Sequence, residues 1–307
     1  MPVYNGETTL EKTLQSLLSQ EKDFFELIIV NDASADNSLE ILRKYANRKE
    51  NWILINNDKN LGLAKSYNKG ICKAKGNLIV TMHQDIVLAA DALKKLIAPF
   101  MDNEVVATGH ADIHPPELWK KYNFWQKCFF ARFQNLNTPG INGQFDCFRK
   151  SALEKVGLFD EIHFRTAGED GDLVDKLKKI GKVANSQAKT IHIHKIDPNF
   201  SWKDIVRKHK QYAEARGTLL ALGRIRELQN IIKNFFREMM VFSLFIPYLN
   251  IIALASIITY SFIYTGPVYL REYKNPKIIW LPFFNVYLLF VSFIYSLKGF
   301  VFKQQKI

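Results

Sequence analysis

Apolar positions over residues 1–200 alternate between two periods. Leu10, Leu14, Leu17 and Leu18 fall on one stripe of a helix between Glu7 and Gln20, and Leu39, Leu42 and Tyr45 repeat that spacing. Short apolar runs, Leu27 to Val30 ending on Asn31-Asp32 and Trp52 to Ile55, follow these helices and are of the kind that forms strands covered on both faces. A helix over Leu63 to Ala74, a strand over Asn77 to Met82, a helix over Ala89 to Met101 and a strand around Val105 to Gly109 continue the series. Strands separated by amphipathic helices predict an α/β fold with a parallel sheet and crossover helices.

The pattern then changes. Pro115 to Leu136 is crowded with aromatics (Trp119, Tyr122, Phe124, Trp125, Phe129, Phe130 and Phe133), which suit either a buried or membrane-contacting amphipathic helix or a wall for a sugar or lipid acceptor. Residues 201–238 are basic and amphipathic and read as an interfacial helix on anionic lipid. Met239 to Thr265 and Ile278 to Leu297 carry no charge, and each matches the roughly 20 apolar residues a bilayer core requires. The expected organisation is therefore an α/β domain over 1–200, a basic amphipathic segment over 201–238, two transmembrane helices with a short loop over 239–297, and a basic tail over 298–307. Arg224, Arg226, Lys233 and Arg237 before the spans and Lys298, Lys303 and Lys306 after them outnumber Arg271, Lys274 and Lys277 in the loop. That bias predicts an integral membrane protein with its large domain cytoplasmic.

Charge fits this picture. The 42 Lys and Arg exceed the 30 Asp and Glu, for a formal net charge of +12, which favours phosphate groups or an anionic surface. Nucleic acid is not expected as a partner, because no zinc-finger spacing, helix-turn-helix signal or ribonucleoprotein-type aromatic motif is present. Cys72, Cys128 and Cys147 lack metal or redox spacing, and their odd number argues against a disulfide framework.

The chemistry concentrates in ordered motifs. Leu27-Ile28-Ile29-Val30-Asn31-Asp32 leaves Asp32 at the carboxyl end of a strand, where open α/β folds bind ligands; by itself such an Asp is as often a helix cap. Before it stands Pro2-Val3-Tyr4-Asn5-Gly6-Glu7, and after it Asn60-Leu61-Gly62-Leu63-Ala64-Lys65, Leu78 to Asp85, Phe145-Asp146-Cys147-Phe148-Arg149-Lys150 and Gly168-Glu169-Asp170-Gly171-Asp172-Leu173. In this order and spacing the chain resembles the family 2 glycosyltransferases, inverting enzymes with a Rossmann-like glycosyltransferase A-type nucleotide-diphospho-sugar transferase domain, over roughly its first two thirds. Members carry an apolar strand before the Pro-x-Tyr-Asn turn; here it is almost wholly missing, and a truncated start is the expectation.

The resemblance implies roles. Asp32 would accept a hydrogen bond from the base or ribose of a nucleotide-sugar donor, with Tyr4 and Glu7 lining the pocket and Pro2 and Asn5 shaping its turn. Lys65 is either a nucleotide contact or an ordinary surface lysine. The Asp-x-Asp motif of the family is His83-Gln84-Asp85 here, leaving Asp85 as the ligand for a divalent cation, Mg2+ or Mn2+. His83 either ligates that ion or hydrogen-bonds. Alternation places His192 and His194 on one strand face, and the resemblance singles out His194 as a metal neighbour. Asp170 is the candidate base, with Glu169 and Asp172 in support, although the same carboxylates would stabilise a helix amino terminus. A processive Gln-x-x-Arg-Trp motif is absent; the nearest segment, Gln211 to Gly217, leaves Arg216 as a candidate diphosphate contact. The expected reaction is transfer to a lipid-linked saccharide or polyprenyl phosphate at the membrane surface. The rival is a non-catalytic membrane scaffold with a degenerate transferase fold; a nucleotidyltransferase is disfavoured by the absence of a glycine-rich phosphate loop ending in Thr-Arg.

Overall fold

The computed structural model describes residues 1–20, 25–47, 50–114, 116–131 and 139–305. Its two compact units interleave in sequence. The first comprises Met1–Pro115, Asn135–Glu161 and Glu169–Lys195; the second comprises Pro116–Gln134, Ile162–Gly168 and Ile196–Ile307.

The first unit is α/β. β1 (Pro2–Val3), β2 (Leu27–Asn31) and β3 (Trp52–Asn56) form a parallel three-stranded sheet in the order β1-β2-β3. A second sheet has the order β4-β7-β6-β8-β5, built from β4 (Leu78–Met82), β5 (Ile86–Leu88), β6 (Val105–Ile113), β7 (Phe145–Arg149) and β8 (Lys182–His192). Of its pairings only β6 with β8 is parallel. The parallel sheet inferred from the sequence thus accounts for the first sheet and one pairing of the second.

Helices α1 (Leu10–Leu18), α2 (Ser38–Ala46), α3 (Leu63–Lys73) and α4 (Ala92–Ile97) follow the predicted stripes. Leu10, Leu14 and Leu17 of α1 pack with Ile29, Leu42 and Phe145 in one core cluster, while Tyr67 and Ile71 of α3 join Phe148, Leu153 and Leu173 in another. α7 (Lys150–Val156) and α8 (Glu169–Leu177) complete the unit. The two-residue β1 does not pair with β4, and an apolar cavity of about 730 Å³ lies between β2 and β4, lined by Met1, Leu27, Ile28, Leu78, Val80 and Phe145 among others.

The second unit is helical. α5 (Pro116–Lys121) and α6 (Phe124–Phe130) carry the aromatic segment, and Trp119, Tyr122 and Phe124 are buried in a cluster with Ile205, Val206, Leu281 and Leu288. Packing therefore accounts for them; Phe133 lies outside the described residues. α9 (Trp202–Ala221), within the segment expected as an interfacial helix, packs along α13 (Leu281–Phe302). Small residues permit the approach: a Cβ on Gly217 would fall 1.9 Å from the Ser296 carbonyl oxygen, and one on Gly299 1.9 Å from that of Glu214. α10 (Leu228–Ser243), α11 (Leu249–Ile263) and α12 (Gly266–Arg271) make up the rest.

One expected span is broken. Between α10 and α11 the chain turns at Tyr248, whose φ is 68°, so Met239 to Thr265 is not one helix. The 15 residues of α11 reach only about 22 Å. By contrast, Pro276–Phe302 is 27 residues long and apolar enough to cross a bilayer, the one such helix among the described residues.

Candidate active site

The turn between β4 and β5 carries His83, Gln84 and Asp85. Because β5 pairs antiparallel with β8 in the register Ile86↔His192, the last residue of β8 is brought beside Asp85. The His192 Nε2 lies 3.1 Å from the Asp85 Oδ2, and the rings of His192 and His194 are 3.7 Å apart between centroids. One ligand atom from each of Asp85, His192 and His194 can be chosen so that all lie within 4.8 Å of one another. Asp112 on β6 stands behind them: its Oδ2 is 3.2 Å from the His114 Nε2 and 3.5 Å from the His192 Nδ1.

Electrostatics bind this group together. Burial opposes ionisation of Asp85, but the imidazoles of His192, His83 and His194 outweigh it and hold the carboxyl well below its usual range. Burial also disfavours a charged His192, yet Asp85 and Asp112 overcome that and raise it to about 9. Burial and the neighbouring His192 lower His194 to about 2. Two convergent imidazoles and a carboxylate are a donor set that fits a divalent transition-metal ion better than Mg2+, which prefers an all-oxygen shell. His83 stands beside this set, and its backbone N–H donates to the Gln144 carbonyl at 2.8 Å.

The expected donor-binding residues form a cross-braced loop. Pro2 is paired in register with Val30. Asn5, at a φ of 50°, accepts from the Ala35 N–H through its Oδ1, while its own N–H donates to the Ser34 Oγ. Glu7 accepts from the backbone and side chain of Asn37, and its N–H donates to Asp36. The Tyr4 side chain is exposed. Asp32 is buried and accepts three hydrogen bonds: its Oδ1 accepts from the Asn57 side chain and the Leu61 N–H, both at 2.8 Å, and its Oδ2 accepts from the Gly62 N–H at 2.9 Å. The carboxylate assigned from the sequence to a base or ribose thus clamps the loop leading into α3. Lys65, on the first turn of α3, pairs with Glu161 at 3.5 Å.

A second group of carboxyls lies at the start of α8. Glu169 is buried, and burial followed by the charge of Asp170 pushes it up to about 8. Asp170 is also raised, chiefly by burial, although it accepts from the Gly171 N–H at 2.8 Å. Beneath it the Asp146 Oδ2 accepts from the Asn142 and Gly143 N–H groups at 3.2 and 2.6 Å, while its Oδ1 lies 3.4 Å from the His110 Nδ1. The Tyr67 hydroxyl donates to the Gly143 carbonyl at 3.0 Å. Burial raises the Tyr67 phenol well above its ordinary value, and Asp146, Glu169, Asp85 and Asp170 all add to the rise. Asp172 pairs with Lys176 one turn along the helix. None of Asp85, His192, His194 or Asp170 lines the apolar cavity beside β4.

Arg216 belongs to the helical unit. Its guanidinium donates to the Glu238 Oε1 at 2.7 Å and to the Ser292 Oγ at 2.9 Å, so there its charge is neutralised by a carboxylate of the chain. Sequence reasoning passed over Gln84, Asp112, His114, Asp146 and His110, and placed His192 on the face of His194 without assigning it to the metal. The His-x-His alternation was the available signal for His192; strand pairing and register bring the others together.

Comparisons with known proteins bear on the family and the fold. Residues 1–157 match the family model described as glycosyl transferase family 2. Poly-beta-1,6-N-acetyl-D-glucosamine synthase of Staphylococcus epidermidis is 31% identical over 173 residues, covering 51% of this chain and 40% of that protein. An uncharacterized glycosyltransferase of Haemophilus influenzae is 34% identical over 108 residues, covering 35% of this chain and 43% of that protein. The chain thus spans less than half the length of these curated relatives. In three dimensions, mannosyltransferase PcManGT from Pyrobaculum calidifontis, solved with GDP-Man and Mn2+, aligns over 96% of this chain and 85% of its own at a TM-score of 0.61 and 17% identity. GalNAc-T7, solved with UDP, GalNAc and Mn2+, aligns over 78% of this chain and 49% of its own at 0.57 and 14% identity. The shared fold is the α/β glycosyltransferase A type.

Proposed function

Since the chain belongs to glycosyl transferase family 2, we propose that it moves a sugar from a nucleoside-diphosphate donor, with inversion, to a lipid-linked saccharide or polyprenyl phosphate at a membrane surface. The product would be a cell-surface polysaccharide or glycoconjugate, in line with the relatives named for poly-N-acetylglucosamine synthesis. The observation that carries the reading is the convergence of Asp85, His192 and His194 in the unit whose helix α8 opens with Glu169 and Asp170.

In this reading Asp85, His192 and His194 hold the cation, and Asp112 steadies His192. A divalent cation there supplies positive charge to the departing diphosphate. Asp170 takes the proton of an acceptor hydroxyl as the anomeric carbon is attacked. Its raised proton affinity suits that task near neutral pH. Glu169, pushed up to about 8 by burial and the charge of Asp170, carries a proton at pH 7. A polyprenyl phosphate arrives already ionised and needs no base.

The apolar helices supply the attachment. The 27 residues of Pro276–Phe302 span about 40 Å, more than the ~30 Å hydrocarbon core. Phe283, Ile294, Leu297 and Val301 on α13, and Ile251, Ile252 and Ile263 on α11, expose apolar side chains. Such surface suits lipid better than water. The test is transfer of radiolabelled sugar from a panel of sugar nucleotides into organic-extractable material, with membrane lipid extract as acceptor. Labelled lipid formed by the wild type and lost in Asp85→Ala supports the proposal. Tight donor binding with no transfer to any extract would favour the scaffold.

A further inference from the structure

The turn that carries Asp85 and the loop expected to receive the donor lack a shared backbone ladder. β1 pairs with β2, and β4 with β7, but β1 and β4 are not hydrogen-bonded to each other. One side chain bridges the break. The Gln84 Oε1 accepts from the Tyr4 N–H at 2.8 Å, and the Gln84 Nε2 donates to the Tyr4 carbonyl at 3.0 Å. A primary amide is thereby doing what a neighbouring peptide does in an antiparallel pair, exchanging both bonds with one residue. The main chain of Gln84 is anchored in turn, because its carbonyl accepts from the Thr13 Oγ1 of α1 at 2.8 Å.

We propose that Gln84 is a positioning residue for donor binding, fixing the Tyr4–Glu7 loop against the metal-bearing turn through the Tyr4 peptide. The assignment rests on the reading of that loop as the nucleotide site. Other side chains do not reproduce the bridge. Glutamate would accept from the Tyr4 N–H yet meet its carbonyl with like polarity, and asparagine is one methylene shorter. Gly6 is matched to it: a Cβ there would lie 2.6 Å from the Gln84 Oε1 and 2.7 Å from its Cδ. The atoms in the way belong to the end of a flexible side chain, so Gly6→Ala displaces the amide and breaks the bridge while leaving the backbone in place.

That relation gives a double-mutant test. Isothermal titration would measure binding of UDP, GDP, CDP, ADP and dTDP, with saturating Mn2+, to the detergent-solubilised full chain and to Gln84→Ala, Gly6→Ala and the double variant. Thermal midpoints would identify folded protein, and Gln84→Glu, keeping one of the two bonds, would serve as the milder variant. The expected result is a roughly tenfold loss of affinity for the bound diphosphate in each single variant, as for a pair of modest hydrogen bonds. The double variant binds no more weakly than the weaker single, because both changes remove one bridge. Gln84→Glu falls between wild type and Gln84→Ala. Wild-type affinity in Gln84→Ala, or losses that multiply to about a hundredfold in the double variant, would overturn the role of Gln84 alone. A wild type that binds none of the five diphosphates would overturn the reading of the loop, and the assignment with it.

Discussion

Asp32→Asn separates a structural carboxylate from a ligand-binding one. The change keeps the shape of the side chain and one oxygen, which can still accept from the Asn57 amide and the Leu61 N–H. It replaces the oxygen facing the Gly62 N–H with an NH2, turning a 2.9 Å charge-assisted bond into two opposed donors. Hydrogen bonds to charged groups contribute about 1.5–3 kcal/mol, and a buried donor left without an acceptor costs about 1–3 kcal/mol. Because the remaining oxygen still serves two donors, these do not add in full, and the expected loss is roughly 2–3 kcal/mol. For a unit of this size each kcal/mol corresponds to about 2–4 °C, so the thermal midpoint should fall by roughly 4–12 °C. Near-ultraviolet circular dichroism of the detergent-solubilised chain, heated without nucleotide, reads this directly. A midpoint within 1 °C of wild type, together with weakened nucleotide binding, would refute the argument and return Asp32 to the base or ribose.

Three further outcomes follow from the charges. Folded Glu169 keeps its proton until about pH 8, whereas the unfolded side chain loses it near 4.5; the stability this contributes is complete below pH 4.5 and is lost as pH rises to about 8. Glu169→Gln should therefore flatten the fall in thermal midpoint across that window, and an unchanged slope would count against the buried proton. Cation binding must expel the proton that Asp85 and Asp112 hold on His192 up to about pH 9, so Mn2+ affinity followed by electron paramagnetic resonance should rise from pH 6 to 8.5 and lose much of that dependence in His192→Ala. Arg216→Met strands the Glu238 carboxylate among Ser292 and Ser296 and should cost about 3–5 kcal/mol, most of it recovered in Arg216→Met/Glu238→Gln. If Arg216 instead served the diphosphate, denaturation would be unchanged and nucleotide affinity would fall.

Strands and helices that bury apolar side chains were legible in the sequence. β2, β3, β4 and helices α1–α3 coincide with its runs and stripes to within a few residues. β8 was mostly hidden for a physical reason: its buried positions near the site are Ser186, Ala188, Thr190 and His192, small or polar, so alternation leaves no hydrophobic signal. β5 has only three residues. The uncharged stretch from Met239 concealed a turn at Tyr248, since uniform hydropathy carries no information about chain reversal. In the site, Asp85 and His194 were singled out by the resemblance to the family, while Asp112 and the register that sets His192 beside Asp85 depend on strand pairing. Asp32 was found by position, but its three bonds to Asn57, Leu61 and Gly62 follow from how the loop closes.

Release of nucleoside diphosphate from a panel of sugar nucleotides by the purified chain, with Mn2+ and membrane lipid extract, measured beside Asp170→Asn, decides whether this chain transfers sugar with Asp170 as its base. With a hydroxyl acceptor, the account predicts release from a preferred donor, reduced by about 10²–10⁴-fold in Asp170→Asn while donor affinity is kept. Equal rates in wild type and Asp170→Asn with that acceptor, or no release from any donor, would contradict it.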